Sequence, residues 1–414
     1  MMRIALPLSA RHLYLVLGGL YLVQGVPIYL LSVALPPLLR ESGASRTLIG
    51  LFSLLMLPML LKFVVAPWVD RQPLLRRLGH RRGWVVPTQV LTSVSIAAMA
   101  FVGPQQPLLL FGLGATIVLL CSLQDIATDG YAARHLTEQT RATGNAIQAG
   151  AVALGVIVGG TLTLVLVKHL GWMPAFLTVS ALSLLPLVVT YWMRESHSAP
   201  TVGRDRPSLG RFFARPDAWV LLGFALTYRA SEGLVRGMEG AYLVDKGVPT
   251  DWIGYLSGSA AVTAGLLGAV VATLLIKRLG LVVTLVLLGG LRSLCFLVFA
   301  LNAAELLPGL TAAMSASALQ TCIRYMELVA IYTLFMAAAS RDQPGTDFTL
   351  LTCAELVVYL LGSALAGMLA DKAGYVTLFS VATLVSVAGI WLAAVMLRNL
   401  QQRQSVGGAC AAPA

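Results

Sequence analysis

The sequence predicts an all-α integral membrane protein with twelve transmembrane helices in two six-helix halves and both termini cytoplasmic. Three observations carry that expectation. Of 414 residues, 57% are hydrophobic and only 11% charged, whereas an ordinary soluble domain is roughly a quarter charged. Apolar runs long enough to cross a bilayer recur along the chain, and the basic residues concentrate in alternate connections between them.

The first half supplies segments at about 13–39, 47–69, 84–103, 107–133, 143–167 and 172–193. The second supplies about 217–241, 252–276, 279–301, 306–339, 348–370 and 374–397. At 1.5 Å per residue, about 20 residues cross the hydrocarbon core, and longer segments tilt or protrude. Arg3 and Arg11 precede the first segment, and Ser32-Val33-Ala34 loosely resembles a signal-peptidase site. The apolar run from Leu13 to Ala34 exceeds a signal core of roughly 7–15 residues, so it reads as a membrane helix. Arg194 to Pro216, rich in Arg, Ser and Pro, reads as a linker. The expected division is therefore 1–193, a linker at 194–216, 217–398, and a tail at 399–414.

Basic residues set the orientation. The N-terminal stretch, the even-numbered connections and the tail hold 19 Lys and Arg, against five in the odd-numbered connections. The positive-inside rule then places both termini and the linker in the cytoplasm. The net charge of +11 is accordingly topological, and the expected partners are the lipid bilayer and a small molecule, with no nucleic acid. Five cysteines without a C-x-x-C and five isolated histidines signal neither a disulfide framework nor a metal site. No G-x-x-x-x-G-K-[ST] stretch is present, so the expectation is no ATPase subunit and no cofactor, with a proton gradient as the energy source. No nucleophile–base pair suggests an enzyme, and no catalytic residue is assigned.

The halves repeat. Ile49-Gly50 and Ile253-Gly254 lie 204 residues apart; Thr143 and Thr346, and Gly171-Trp172 and Gly374-Tyr375, lie 203 apart. Six segments per half make the duplication parallel, about an axis along the membrane normal. Such halves enclose a central site and rock around it.

Ionisable residues within spans are costly and mark pathways. In the seventh segment Arg229, Glu232, Arg236 and Glu239 are spaced by three, four and three, hence on one helical stripe beside Tyr228. In the tenth, Gln320, Arg324 and Glu327 share a face; Arg292 and Glu355 add charges in the ninth and eleventh. Two roles stay open: ion pairs that lock packing, or a polar cavity for an anionic ligand with glutamates as proton carriers. Asp125 and Asp129 stand one turn apart in the fourth segment, where Asp129 is either a proton or gating site or a partner of a basic loop. Lys62 either snorkels or serves a site. Gln24 and Tyr21 share a face of the first segment, while Asp70, Arg71, Asp129 and Arg134 are gating candidates.

Ile49-Gly50-Leu51-Phe52-Ser53-Leu54, Leu61-Lys62-Phe63, Ala66-Pro67-Trp68-Val69-Asp70-Arg71 and Arg81-Arg82-Gly83-Trp84 resemble the second span and the start of the third in the muropeptide-permease group of the major facilitator superfamily. Gln124-Asp125-Ile126-Ala127-Thr128-Asp129-Gly130-Tyr131 resembles the fourth-span signature shared by muropeptide permeases, acetyl-CoA transporters and siderophore permeases. Tyr228-Arg229-Ala230-Ser231-Glu232-Gly233 stands where muropeptide permeases carry a Lys/Asp pair, so the pair is replaced in kind rather than kept. The stretch ending at Ala132 and Arg141…Gly144-Asn145 most resemble rhizobactin- and pyochelin-type siderophore permeases. The resemblance implies the major facilitator fold in the bacterial inner membrane. It also implies proton-driven import of a ferric siderophore such as ferric pyochelin, iron being involved only as part of the substrate chelate. Muropeptide uptake, or another small anion, is the alternative. The residues expected to bind or couple are Asp125, Tyr228, Arg229, Glu232, Arg236, Arg324, Glu327 and Gln24.

Overall fold

The computed structural model describes residues 10–42, 52–194, 207–248 and 250–409. Arg3, the Ile49-Gly50 motif, linker residues 195–206 and tail residues 410–414 lie outside them. The regular elements among the described residues are all helices, and eight of the helical runs are long and apolar enough to cross a membrane. Large apolar side chains such as Leu108, Val188, Leu267 and Trp391 are exposed, as lipid-facing positions are in a protein whose outer solvent is hydrocarbon.

Several segments differ from uninterrupted α-helices. The one expected at 47–69 is built of short pieces: a 3₁₀ turn Ser53–Met56, a helix Leu57–Leu61, a 3₁₀ turn Lys62–Val64 and a helix Ala66–Arg71. Pro58 and Pro67 open the two α pieces, where a missing amide is harmless but continuation from the preceding turn is not. The segment expected at 217–241 breaks into Ala218–Thr227 and Ala230–Asp245. The final run, Pro344–Ala409, is two helices meeting at Gly374. Pro308 precedes the Leu310–Ala338 helix, with Gly309 at φ 114° making the turn.

The chain forms two compact units, Met1–Leu209 with Ala339–Thr349, and Gly210–Ala338 with Leu350–Ala414. Hydrogen bonds explain why 339–349 groups with the first unit rather than with the rest of 217–398. Thr346 donates to Asp70 Oδ2 through its amide and its hydroxyl, both at 2.6 Å, and Gln343 exchanges bonds with Ser208 at 2.9 and 3.2 Å.

Inside each unit the same contacts recur. A Cβ on Gly159 would lie 2.0 Å from the Val26 carbonyl oxygen, and one on Gly362 would lie 3.2 Å from that of Ala230. Both glycines therefore let helix backbones meet. Gly171 (φ 86°) and Gly374 (φ 76°) both open a helix from a left-handed conformation. Each is followed by an aromatic stacked on the ring one turn later: Trp172 on Phe176 at 4.2 Å, and Tyr375 on Phe379 at 6.0 Å. Pro107–His135 and Leu310–Ala338, both 29 residues, are displaced by the same 203 positions that the sequence repeat gives.

Candidate functional site

The second unit buries a network of arginines and glutamates. The helix break at Tyr228–Arg229 frees backbone groups, and Arg292 from the Leu281–Ala303 helix answers one of them by donating to the Tyr228 carbonyl at 2.7 Å. Arg292 also donates to both Glu327 oxygens, at 2.8 and 2.9 Å, and to Ser386 at 3.2 Å. Its guanidinium stands 4.9 Å from the Tyr228 ring centre. The Tyr228 hydroxyl reaches the Leu285 carbonyl (2.7 Å) and Glu327 Oε1 (3.0 Å).

Arg229, at the break, pairs with Glu232 one turn on and with Glu355 from the Pro344–Ala409 run. Glu232 is fully buried, and its other oxygen lies 3.3 Å from Arg324 Nε without hydrogen-bond geometry. Arg324 differs from Arg229 and Arg292 in exposure: its side chain is 26% accessible, against 7% and 1%. Arg236 and Glu239 form a separate pair at 3.0 Å, with Ser317 donating to Glu239. Four arginines thus face four glutamates, so the array is neutral with every group ionised.

The first unit buries charges of its own. Lys62 is buried and ion-paired to Asp125, which decides its role against snorkelling. Tyr21 donates to Asp129 Oδ1 at 3.0 Å, and Gln24 donates to Thr128 at 2.7 Å. Asp70 pairs with Arg81, whose guanidinium occupies the space that a side chain at Gly130 would fill.

A family model described as Major Facilitator Superfamily matches residues 17–346. The chain belongs to the Major Facilitator Superfamily. It is therefore a multi-pass membrane carrier of a small molecule and not an enzyme. Among curated relatives, the anhydromuropeptide permease of Escherichia coli K12 is 27% identical over 394 residues, covering 91% of this chain and 78% of the relative. A putative transporter, AmpG 4, of Rickettsia conorii is 21% identical, covering 90% and 93%. Among solved structures, a bacterial homologue of the iron transporter ferroportin aligns with a TM-score of 0.70 at 17% identity, covering 95% of this chain and all of that one. The Escherichia coli fucose:proton symporter aligns at 0.68 and 15% identity, covering 94% and 99%. At such identities the structures speak for the superfamily fold alone.

Within this superfamily member the repeat offset matches polar positions across the two units. Thr88 and Gln124, 3.4 Å apart, correspond by 204 and 203 residues to Arg292 and Glu327. Gln89, donating to the Ser183 carbonyl at 3.0 Å, corresponds with Ser183 to Ser293 and Ser386, bonded at 2.8 Å. A polar layer that is neutral in one unit has its charged counterpart in the other.

Of the sequence-selected residues, Tyr228, Arg229, Glu232, Arg324 and Glu327 come together. Arg236 stands apart with Glu239; Asp125, Asp129 and Gln24 gather in the first unit. Arg229 lies outside the helix it was expected to share with Glu232, Arg236 and Glu239, because the chain breaks there. Arg71 is exposed, donating to the Pro207 carbonyl at 2.7 Å, and Arg134 is exposed; neither joins these clusters. Arg292 and Glu355, given no role in the ligand set, hold the centre of the network. A charged residue in the middle of an apolar run was the signal that marked them.

Proposed function

We propose that this chain imports a small carboxylate-bearing solute across the bacterial inner membrane by alternating access, driven by the proton gradient, with no resident cofactor and no ATPase subunit. Arg324 carries the reading. It is partly accessible beside a buried charge network, and its one close carboxylate contact lacks hydrogen-bond geometry. A guanidinium so placed has donors to offer an incoming carboxylate. Arg229 and Glu232 then position Arg324 rather than bind solute themselves.

The first solute class is an anhydromuropeptide, whose peptide part bears carboxylates; the near full-length likeness to the Escherichia coli permease supports it. A second class, a ferric siderophore such as ferric pyochelin, is favoured by the likeness of the stretch ending at Ala132 and of Arg141…Gly144-Asn145 to siderophore permeases. In that case iron travels as part of the chelate.

Cells lacking their own importers, expressing this chain, separate the two when given labelled anhydromuropeptide or radio-iron as ferric pyochelin, with and without a protonophore. Protonophore-sensitive uptake of the first supports muropeptide import, and of the second alone siderophore import. Uptake of either that ignores the protonophore removes the proton coupling.

A further inference from the structure

The charge balance of the two units differs, and the difference locates a proton. In the second unit four arginines match four glutamates. In the first, the Pro107–His135 helix carries Asp125 and Asp129 one turn apart on one face, and the cation paired there is Lys62, on Asp125. Asp129 is 2% exposed. Among the described residues its polar contact is the Tyr21 hydroxyl, 3.0 Å from Oδ1, and no Lys or Arg stands at ion-pair distance.

We infer that Asp129 and Asp125 form the proton seat of this carrier, sharing one proton and the single ammonium of Lys62. This deepens the proton-coupled reading above and rests on it for its role in transport. In the structure as it stands, Lys62 neutralises Asp125 and the proton sits on Asp129, with Tyr21 donating to the carbonyl oxygen Oδ1 and leaving Oδ2 to hold the hydrogen. An ionised Asp129 buried without a cation would be costly. When the proton leaves, Lys62 moves about half a turn, roughly 3 Å along the helix, to stand between both carboxylates.

Three other charged groups near this helix have partners of their own. Arg81, over Gly130, is paired to Asp70, and Asp70 also receives Thr346. Asp347, on the segment whose Gly345 packs against Ile126, bonds to Ser340 and Gln343. The Arg82–Phe101 helix presents the uncharged Thr88 to Gln124.

Infrared difference spectroscopy of the purified full chain in lipid nanodiscs reads the proton without any solute, so its outcome is independent of what is carried. The carbonyl stretch of a protonated carboxyl should disappear in Asp129→Asn. It should disappear equally in Asp125→Asn, because Lys62 is then released to pair with an ionised Asp129. In Lys62→Met the band should double, as both carboxyls become protonated. Tyr21→Phe, a mild change, should keep the band and shift it upward in frequency as Oδ1 loses its donor. A band untouched by Asp129→Asn, or unmoved by Tyr21→Phe, overturns the assignment. Loss in Asp129→Asn with full retention in Asp125→Asn overturns the sharing.

Discussion

Arg292 donates through one guanidinium nitrogen to both oxygens of Glu327, at 2.8 and 2.9 Å, and both side chains are essentially inaccessible. Their counterparts in the first unit, Thr88 and Gln124, are neutral. The repeat therefore tolerates either chemistry at this position, provided that both partners change together.

Removing one partner strands the other as a buried charge. Arg292→Thr and Glu327→Gln should each lower stability by about 3–5 kcal/mol. The double variant rebuilds the Thr88–Gln124 pair and should recover much of the loss. Thermal unfolding of the four proteins closes the cycle, with a coupling of about 1 kcal/mol or more expected. Additive losses would show that the two side chains act independently.

Arg324→Ala should behave oppositely. Its contact with Glu232 lacks hydrogen-bond geometry, and Glu232 retains Arg229, so the melting temperature should hardly change. Apparent affinity for the solute should fall about tenfold or more, the size of a lost charge-assisted hydrogen bond of roughly 1.5–3 kcal/mol. Concentration-dependent uptake measures it, and wild-type affinity would remove Arg324 from the site.

Glu232→Gln leaves the Asp125–Asp129–Lys62 group untouched. Uptake should fall, because Arg229 and Arg324 lose a shared counter-charge, but its pH dependence should keep its midpoint. A displaced midpoint in uptake measured across pH would place coupling at Glu232 instead.

Gly159→Ala and Gly171→Ala test close approach against backbone strain. A Cβ at 159 meets the Val26 carbonyl oxygen at 2.0 Å, a backbone atom that cannot swing away, whereas one at 171 meets nothing within 4 Å. Gly171→Ala should cost about 1–3 kcal/mol for a backbone conformation, φ 86° and ψ 173°, that is essentially restricted to glycine. Gly159→Ala should cost clearly more, judged by folded yield and thermal unfolding.

Much of this was legible in the sequence because lipid imposes a simple rule on apolar length, and because the duplication left Gly171-Trp172 and Gly374-Tyr375 at matching positions. Local pairs were legible too: Arg229–Glu232 and Arg236–Glu239 follow from three-residue spacing. Long-range pairs were not. Lys62 and Asp125 lie 63 residues apart and Arg292 and Glu327 lie 35 apart, and no periodicity relates residues on different helices. The break at Tyr228–Arg229 carries neither Pro nor Gly. It is held by Arg292 from another helix, so nothing local announces it. Solute identity is also poorly legible, since an arginine in a membrane reports a carboxylate without reporting what the carboxylate belongs to.

The most direct test is solute accumulation in proteoliposomes containing only this chain, with an imposed pH gradient, acidic outside, and labelled anhydromuropeptide and ferric pyochelin offered in turn. Accumulation of one solute above its external concentration, abolished by a protonophore and weakened by Arg324→Ala, is expected. Equilibration without accumulation for whichever solute enters, unchanged when the gradient is collapsed, would contradict a proton-coupled importer and leave a passive carrier.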